Sequence, residues 1–203
     1  MKVNKDCDKN VKAIIIYGPP GAGKTTLSNK LSEFFRRRGF ESAYLSSRHL
    51  MDCMKIHYPT KITDQGTFIS YGKALNFMNG LIIVCFQYLI KKNNALILII
   101  EDGFPNPLVR TRIIEIAKGK CVPYYLIELF CPFNVSKERV ARRRERISSF
   151  YLKRIYESFK WNWPGKPTCN VLRFDTDRMN PEDIAREILQ KMGLKEGRQD
   201  EEI

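Results

Sequence analysis

Five short segments concentrate the apolar, β-branched and aromatic residues of the chain. They are 13–17 (AIIIY), 42–46 (SAYLS), 95–100 (ALILII), 122–130 (VPYYLIELF) and 170–174 (NVLRF). Short apolar runs bounded by polar and turn residues predict strands covered on both faces, as in a parallel sheet. Between them the apolar period lengthens. Leu27, Leu31, Phe34 and Phe35 fall on one face of a helix, and Gly39 behind three arginines closes it. Residues 67–91 predict one or two helices, because Gly72 and Gly80 interrupt the pattern. Asn106 with Pro107 opens a helix that runs to Gly119, and Asn134 caps an arginine-rich helix. Asn180, Pro181, Glu182 and Asp183 start the last helix, which ends at Gly193. Strands alternating with helices predict an α/β fold: a five-stranded parallel sheet with helices on both faces, in three layers. The 203 residues suit one domain, 1–194, with an arginine-rich lid at about 134–165 and a polar tail at 195–203.

The connection after the first strand, Gly18-Pro19-Pro20-Gly21-Ala22-Gly23-Lys24-Thr25-Thr26, matches G-x-x-x-x-G-K-[ST]. A chance match in a chain of this length has odds on the order of 1 in 100, and here the loop also joins a strand to a helix. Glycines let backbone N–H groups converge on a β-phosphate, and the helix N-terminus adds partial positive charge. Lys24 is expected to reach the β- and γ-phosphates and Thr25 to ligate Mg²⁺. In parallel sheets ligands bind at the C-terminal ends of the strands. That edge also collects Glu101 and Asp102 after the third strand and Ser46 to His49 after the second. Glu101 or Asp102 is in place to hold the metal, and strand alternation allows only one of them to face it. The plainer reading is a turn at Asp-Gly.

Arg139, Arg142, Arg143 and Arg146 are spaced to share one helix face. They fit a lid over ATP, with Arg142 and Arg146 closing it, but also a solvated basic face or an RNA contact. In "SSRHL", Ser47, Arg48 and His49 are candidate acceptor contacts, with Asp52 and Arg110 beside them. His49 is either a proton-transfer group or structural. Trp161 and Trp163 either stack on a ring or anchor a loop.

Net charge is +13, which favours nucleotides, nucleic acid or another polyanion as partner. None of the six cysteines forms a C-x-x-C pair, so no zinc site is expected. The apolar segment 81–90 stops at KKNN, and no stretch is read as a membrane span. The polar N-terminus does not resemble a signal peptide, and a cytoplasmic location is expected.

From Lys12 to Met192 the chain resembles the small P-loop kinases with an adenylate-kinase-like core: L-seryl-tRNA kinase, adenylylsulfate kinase, chloramphenicol phosphotransferase and the polynucleotide kinases. The likeness to archaeal-type L-seryl-tRNA kinase rests on Glu101, Asp102 and Arg110, on Arg142, Arg143 and Arg146, on Tyr156, Phe159 and Pro164, and on Asp175-Thr176. It implies an ATP- and Mg²⁺-dependent kinase that phosphorylates a hydroxyl of a small molecule or of an RNA or aminoacyl-tRNA. That family carries an aspartate after strand two, where this chain has Arg48. His49, Asp52, a carboxylate at 101 or 102, or no strong base at all then serves the acceptor hydroxyl. A GTPase or a nucleotide-sensing module without transfer activity is the alternative, but no N-K-x-D follows a strand to read guanine.

Overall fold

In a computed structural model of the protein, the described residues are 10–56, 61–92, 95–102, 108–143, 146–161 and 171–194, without the side chains at 102, 146, 160 and 161. Strands β1 (Asn10–Tyr17), β2 (Ser42–Ser46), β4 (Ala95–Asp102), β5 (Tyr124–Phe130) and β7 (Val171–Asp175) form one sheet in the order β2-β4-β1-β5-β7. Every neighbouring pair is parallel, as expected. The helices are α1 (Lys24–Arg37), α2 (Ser47–Cys53), α3 (Gln65–Lys92), α4 (Leu108–Gly119), α5 (Phe133–Ala141), α6 (Ser149–Trp161) and α7 (Pro181–Lys191).

Alternate residues of the central strands face opposite layers. Ile14, Ile16, Ile97, Ile99 and Leu129 pack with Leu27, Leu31 and Phe35 of α1 and Ile184 and Ile188 of α7. Val11, Ala13, Ile15, Leu98 and Ile100 pack with Ile82 and Phe86 of α3 and Ile113 of α4. With both faces covered, the strands have no polar side to alternate, which is why they read as unbroken apolar runs.

One open alternative is resolved and three expectations need correction. Residues 65–92 form one continuous helix of 28 residues despite Gly72 and Gly80. A helical glycine costs about 1 kcal/mol against alanine. Burying one large apolar side chain gains about 1.5–3 kcal/mol, and Leu75, Met78, Ile82, Phe86 and Ile90 are all buried along α3. Packing therefore outweighs the two breaks. The same helix has the length and composition of a membrane span, with a mean hydropathy of 1.4 in its most apolar window, contrary to the reading of 81–90 alone. Here one side of it packs against the sheet, while Phe77, Val84 and Tyr88 are exposed.

Helix α5 has Pro132, not Asn134, at its N-cap and ends at Ala141. The expected shared face of four arginines therefore does not form. After α5 the chain reaches a two-residue strand, β6 (Arg146–Ile147), which pairs in parallel with β3 (Lys61–Ile62) and sets Ile62 opposite Ile147. A two-residue strand has no measurable period, so neither was visible in the sequence. The expected cap at Asn106-Pro107, both tryptophan side chains, Pro164 and the tail at 195–203 lie outside the described residues.

Candidate active site

Strand β1 delivers the chain to residues 18–25 at the carboxyl edge of the sheet. A Cβ on Gly18 would stand 2.1 Å from the Leu129 carbonyl oxygen, so the loop lies flat against β5 only because that residue is glycine. Gly21 has φ +77°, and a Cβ there would meet the Ser136 carbonyl oxygen at 2.8 Å. Helix α1 starts at Lys24 with no side-chain cap hydrogen bond. The first-turn N–H groups of a helix lack intrahelical acceptors, and here they stand at the end of the loop, the arrangement that binds phosphate.

The loop is braced from α5. Ser136 Oγ donates to the Pro20 carbonyl (2.7 Å). Arg139 donates to the Gly21 carbonyl (3.3 Å), to Thr176 Oγ1 (2.9 Å) and to the Thr176 carbonyl (2.8 Å). Arg139 thus fastens the loop to the turn after β7 and does not belong to a lid face. Lys24 is buried, and its Nζ donates to the carbonyls of Gly18 (2.8 Å) and Pro19 (3.0 Å). The ammonium is held across the mouth of its own loop.

Thr25 Oγ1 donates to Glu101 Oε1 at 3.0 Å. The Tyr44 hydroxyl donates to the other carboxylate oxygen, Oε2. Burial, reinforced by the charge of Glu101, pushes the Tyr44 phenol up, so it stays a donor at any physiological pH. Glu101 follows Ile97 and Ile99 on the face of β4 that looks toward α1, and it pairs in register with Ile16 and Ser46. Of the two expected acids, Glu101 is therefore the one the structure brings to Thr25. Asp102 holds the next position, opposite Tyr17, and its side chain is outside the description. A hydroxyl and a carboxylate 3.0 Å apart are hard oxygen donors of the kind Mg²⁺ takes, together with phosphate oxygens and water.

Beside this edge lies a cavity of about 420 Å³. Pro20, Lys24, Thr25 and Glu101 form its nucleotide end, and Ser47 and Arg48 enter from α2. Phe68, Tyr71 and Leu75 of α3 and Ile147 and Ile155 beyond α5 supply an apolar wall. Of the expected acceptor contacts, Ser47 and Arg48 line it. Ser47 Oγ also donates to Asn79 Oδ1 (2.9 Å), which ties α2 to α3.

His49 and Asp52 do not line the cavity. Both are exposed, and His49 leans on the Tyr44 ring (5.9 Å). In the 47–53 helix successive residues turn by about 100°, so an inward sector that takes Ser47 and Arg48 carries His49 past it to solvent. Arg110 is buried in α4 with its guanidinium 4.5 Å over the Tyr17 ring, on the α3/α4 side of the sheet, and it does not line the cavity. Arg142 is the exposed C-cap of α5, and Arg146 pairs with Lys61 through β6. Among the described side chains of that run, Arg143 lines the cavity. Sequence reasoning missed the wall built by α3, β6 and α6, since none of its residues carries a motif.

The fold recurs widely among small P-loop kinases. The shikimate kinase of Acinetobacter baumannii in complex with shikimate has a TM-score of 0.58 at 18% identity, covering 91% of this chain and 94% of that one. The gluconokinase of Sinorhizobium meliloti has a TM-score of 0.59 at 13% identity, covering 91% and 93%. The APS kinase of Mycobacterium tuberculosis in complex with AMPPNP and APS has a TM-score of 0.58 at 12% identity, covering 91% and 99%. At these identities the likeness is one of fold. Over 54 residues the chain is also 41% identical to the replication factor C large subunit of Sulfurisphaera tokodaii, a stretch that is 27% of this chain and 12% of that protein. The family model described as an AAA domain matches residues 14–153. The loop, the sheet and this match, which takes in well over half the chain, together make the protein a member of the AAA-domain family.

Proposed function

We propose that the protein is an ATP- and Mg²⁺-dependent phosphotransferase that moves the γ-phosphate of ATP to a hydroxyl of an acceptor in the adjoining cavity. The observation that carries this reading is the shared opening. Lys24, Thr25 and Glu101 line the same cavity as α2 and α3, so a terminal phosphate and a second molecule would meet there.

Each residue then has a role. The backbone N–H groups of 18–25 cradle the β-phosphate, and Lys24 exchanges its two carbonyl partners for phosphate oxygens. Thr25 and Glu101 hold Mg²⁺, which neutralises charge on the β- and γ-phosphates when bound. In the transfer, the bond from the γ-phosphorus to the β,γ-bridging oxygen breaks and a bond to the acceptor oxygen forms. The hydroxyl proton goes to solvent or to the transferred phosphate, and ADP leaves. Among the described residues Glu101 is the one carboxylate lining the cavity, and Thr25 and Tyr44 occupy both its oxygens. A strong base is not required, because phosphoryl transfer depends on positioning and charge neutralisation.

The test is incubation with γ-labelled ATP, Mg²⁺ and metabolite or tRNA pools, beside Lys24→Ala. Transfer to an acceptor that falls at least a hundredfold in the variant supports the reading. Tight ATP binding with no labelled product from either pool refutes it in favour of a nucleotide-sensing module.

A further inference from the structure

Resting on the phosphotransferase reading, we infer that the acceptor is a small molecule with an apolar, ring-sized body and an anionic group, a carboxylate or a phosphate monoester. The hydroxyl to be phosphorylated lies at the opposite end from that charge.

Three features of the cavity carry this. The first is size. At about 420 Å³ it falls at the low end of small-ligand sites, which span about 300–1,000 Å³. Part of that space adjoins Lys24 and Thr25 and belongs to the transferred phosphate. What remains suits a single ring, not a folded nucleic acid.

The second is charge. Apart from Lys24, the cavity is lined by Arg48, Lys73 and Arg143, which come from three different helices or their ends. The lining includes one acid, Glu101, already engaged by Thr25 and Tyr44. Among the described residues the Lys73 and Arg143 side chains make no ion pair. Cations gathered at an apolar wall repel one another and favour an incoming anion. Among the described lining residues a cationic acceptor would find no free carboxylate.

The third is the wall itself. Phe68 stacks on Tyr151 of α6 at 5.0 Å, and Tyr151 is buried. The aromatic face is thus fixed before a ligand arrives, so little ordering cost falls on binding. Asn76 and Ser47 add polar groups for orientation, in keeping with small-ligand sites that are mostly apolar with a few placed polar atoms. The cations would hold the anionic end, the Phe68 wall the body, and the hydroxyl would face Lys24 and Thr25.

The experiment uses the full chain, γ-labelled ATP with Mg²⁺, and a total metabolite extract resolved by ion exchange into anionic, neutral and cationic fractions, with total tRNA as a fourth arm. Phosphatase treatment of the anionic fraction before the assay separates phosphate monoesters, which lose activity, from carboxylates, which keep it. ATP affinity is titrated in parallel. Label in the anionic fraction is expected. With that acceptor, Lys73→Gln/Arg143→Gln is expected to raise its KM at least tenfold, and the charge-keeping Lys73→Arg/Arg143→Lys to stay within about threefold of wild type. Label confined to the neutral, cationic or tRNA arm overturns the inference while leaving the phosphotransferase reading intact. An unchanged KM in the glutamine variant overturns it as well. Bound ATP with no label in any arm overturns both.

Discussion

Tyr44→Phe isolates one interaction at the site. Phenylalanine keeps the ring that packs beside the α1-side core and removes the oxygen that donates to Glu101 Oε2. Glu101 then keeps one tether, the 3.0 Å bond from Thr25. A hydrogen bond to a charged acceptor contributes about 1.5–3 kcal/mol. Tyr44 is only partly buried, so the lower bound applies. About 1.4 kcal/mol is a factor of ten. If this tether orients Glu101 for Mg²⁺, half-saturation by Mg²⁺ in the transfer assay rises about tenfold, while ATP binding without metal changes less than twofold. The defect should be constant between pH 6 and 9, since burial keeps the phenol protonated across that range. Combining it with Thr25→Val should be non-additive, because both residues hold one carboxylate. A Mg²⁺ titration that superposes on wild type refutes the reasoning.

Two further outcomes follow from the same geometry. Arg139→Ala removes the guanidinium that joins the Gly21 carbonyl to Thr176. It should cost about 2–3 kcal/mol in denaturant unfolding and weaken nucleotide binding, and Arg139→Lys should not restore it, because an ammonium lacks the planar fork. Equal unfolding midpoints for wild type and Arg139→Ala would contradict this. Glu128 lies opposite Tyr17 and Arg173 in register, and burial pushes its carboxyl up from 4.5 to about 7 despite the Arg173 ion pair at 2.8 Å. For a raised acid the stabilising contribution is complete below pH 4.5 and is lost as pH rises through about 7. Glu128→Gln should therefore flatten the fall in stability between those values, measured by chemical denaturation across the range, and identical pH slopes would count against it.

The phosphate loop, the five-stranded parallel sheet and the acid at the end of β4 were legible in the chain. Each depends on local pattern: glycine at fixed spacing, apolar runs buried on both faces, a carboxylate where a strand stops. Which acid reaches Thr25 depended on strand phase, and the register with β1 and β2 puts Glu101 there. The arginine run misled because its spacing assumed a helix through residue 146, whereas α5 ends at Ala141 and β6 pairs with β3. The apolar wall of the cavity was invisible for a related reason. Phe68 lies far in sequence from Arg143, Ile147 and Ile155 and meets them only when α3, α5 and α6 fold over the sheet edge. Residue type and short-range spacing were enough to determine the nucleotide end of this protein, because a phosphate is bound by one continuous loop. Beyond Ser47 and Arg48, the surface of the proposed acceptor end was decided by tertiary structure, because it is assembled from packing between segments that no local pattern links.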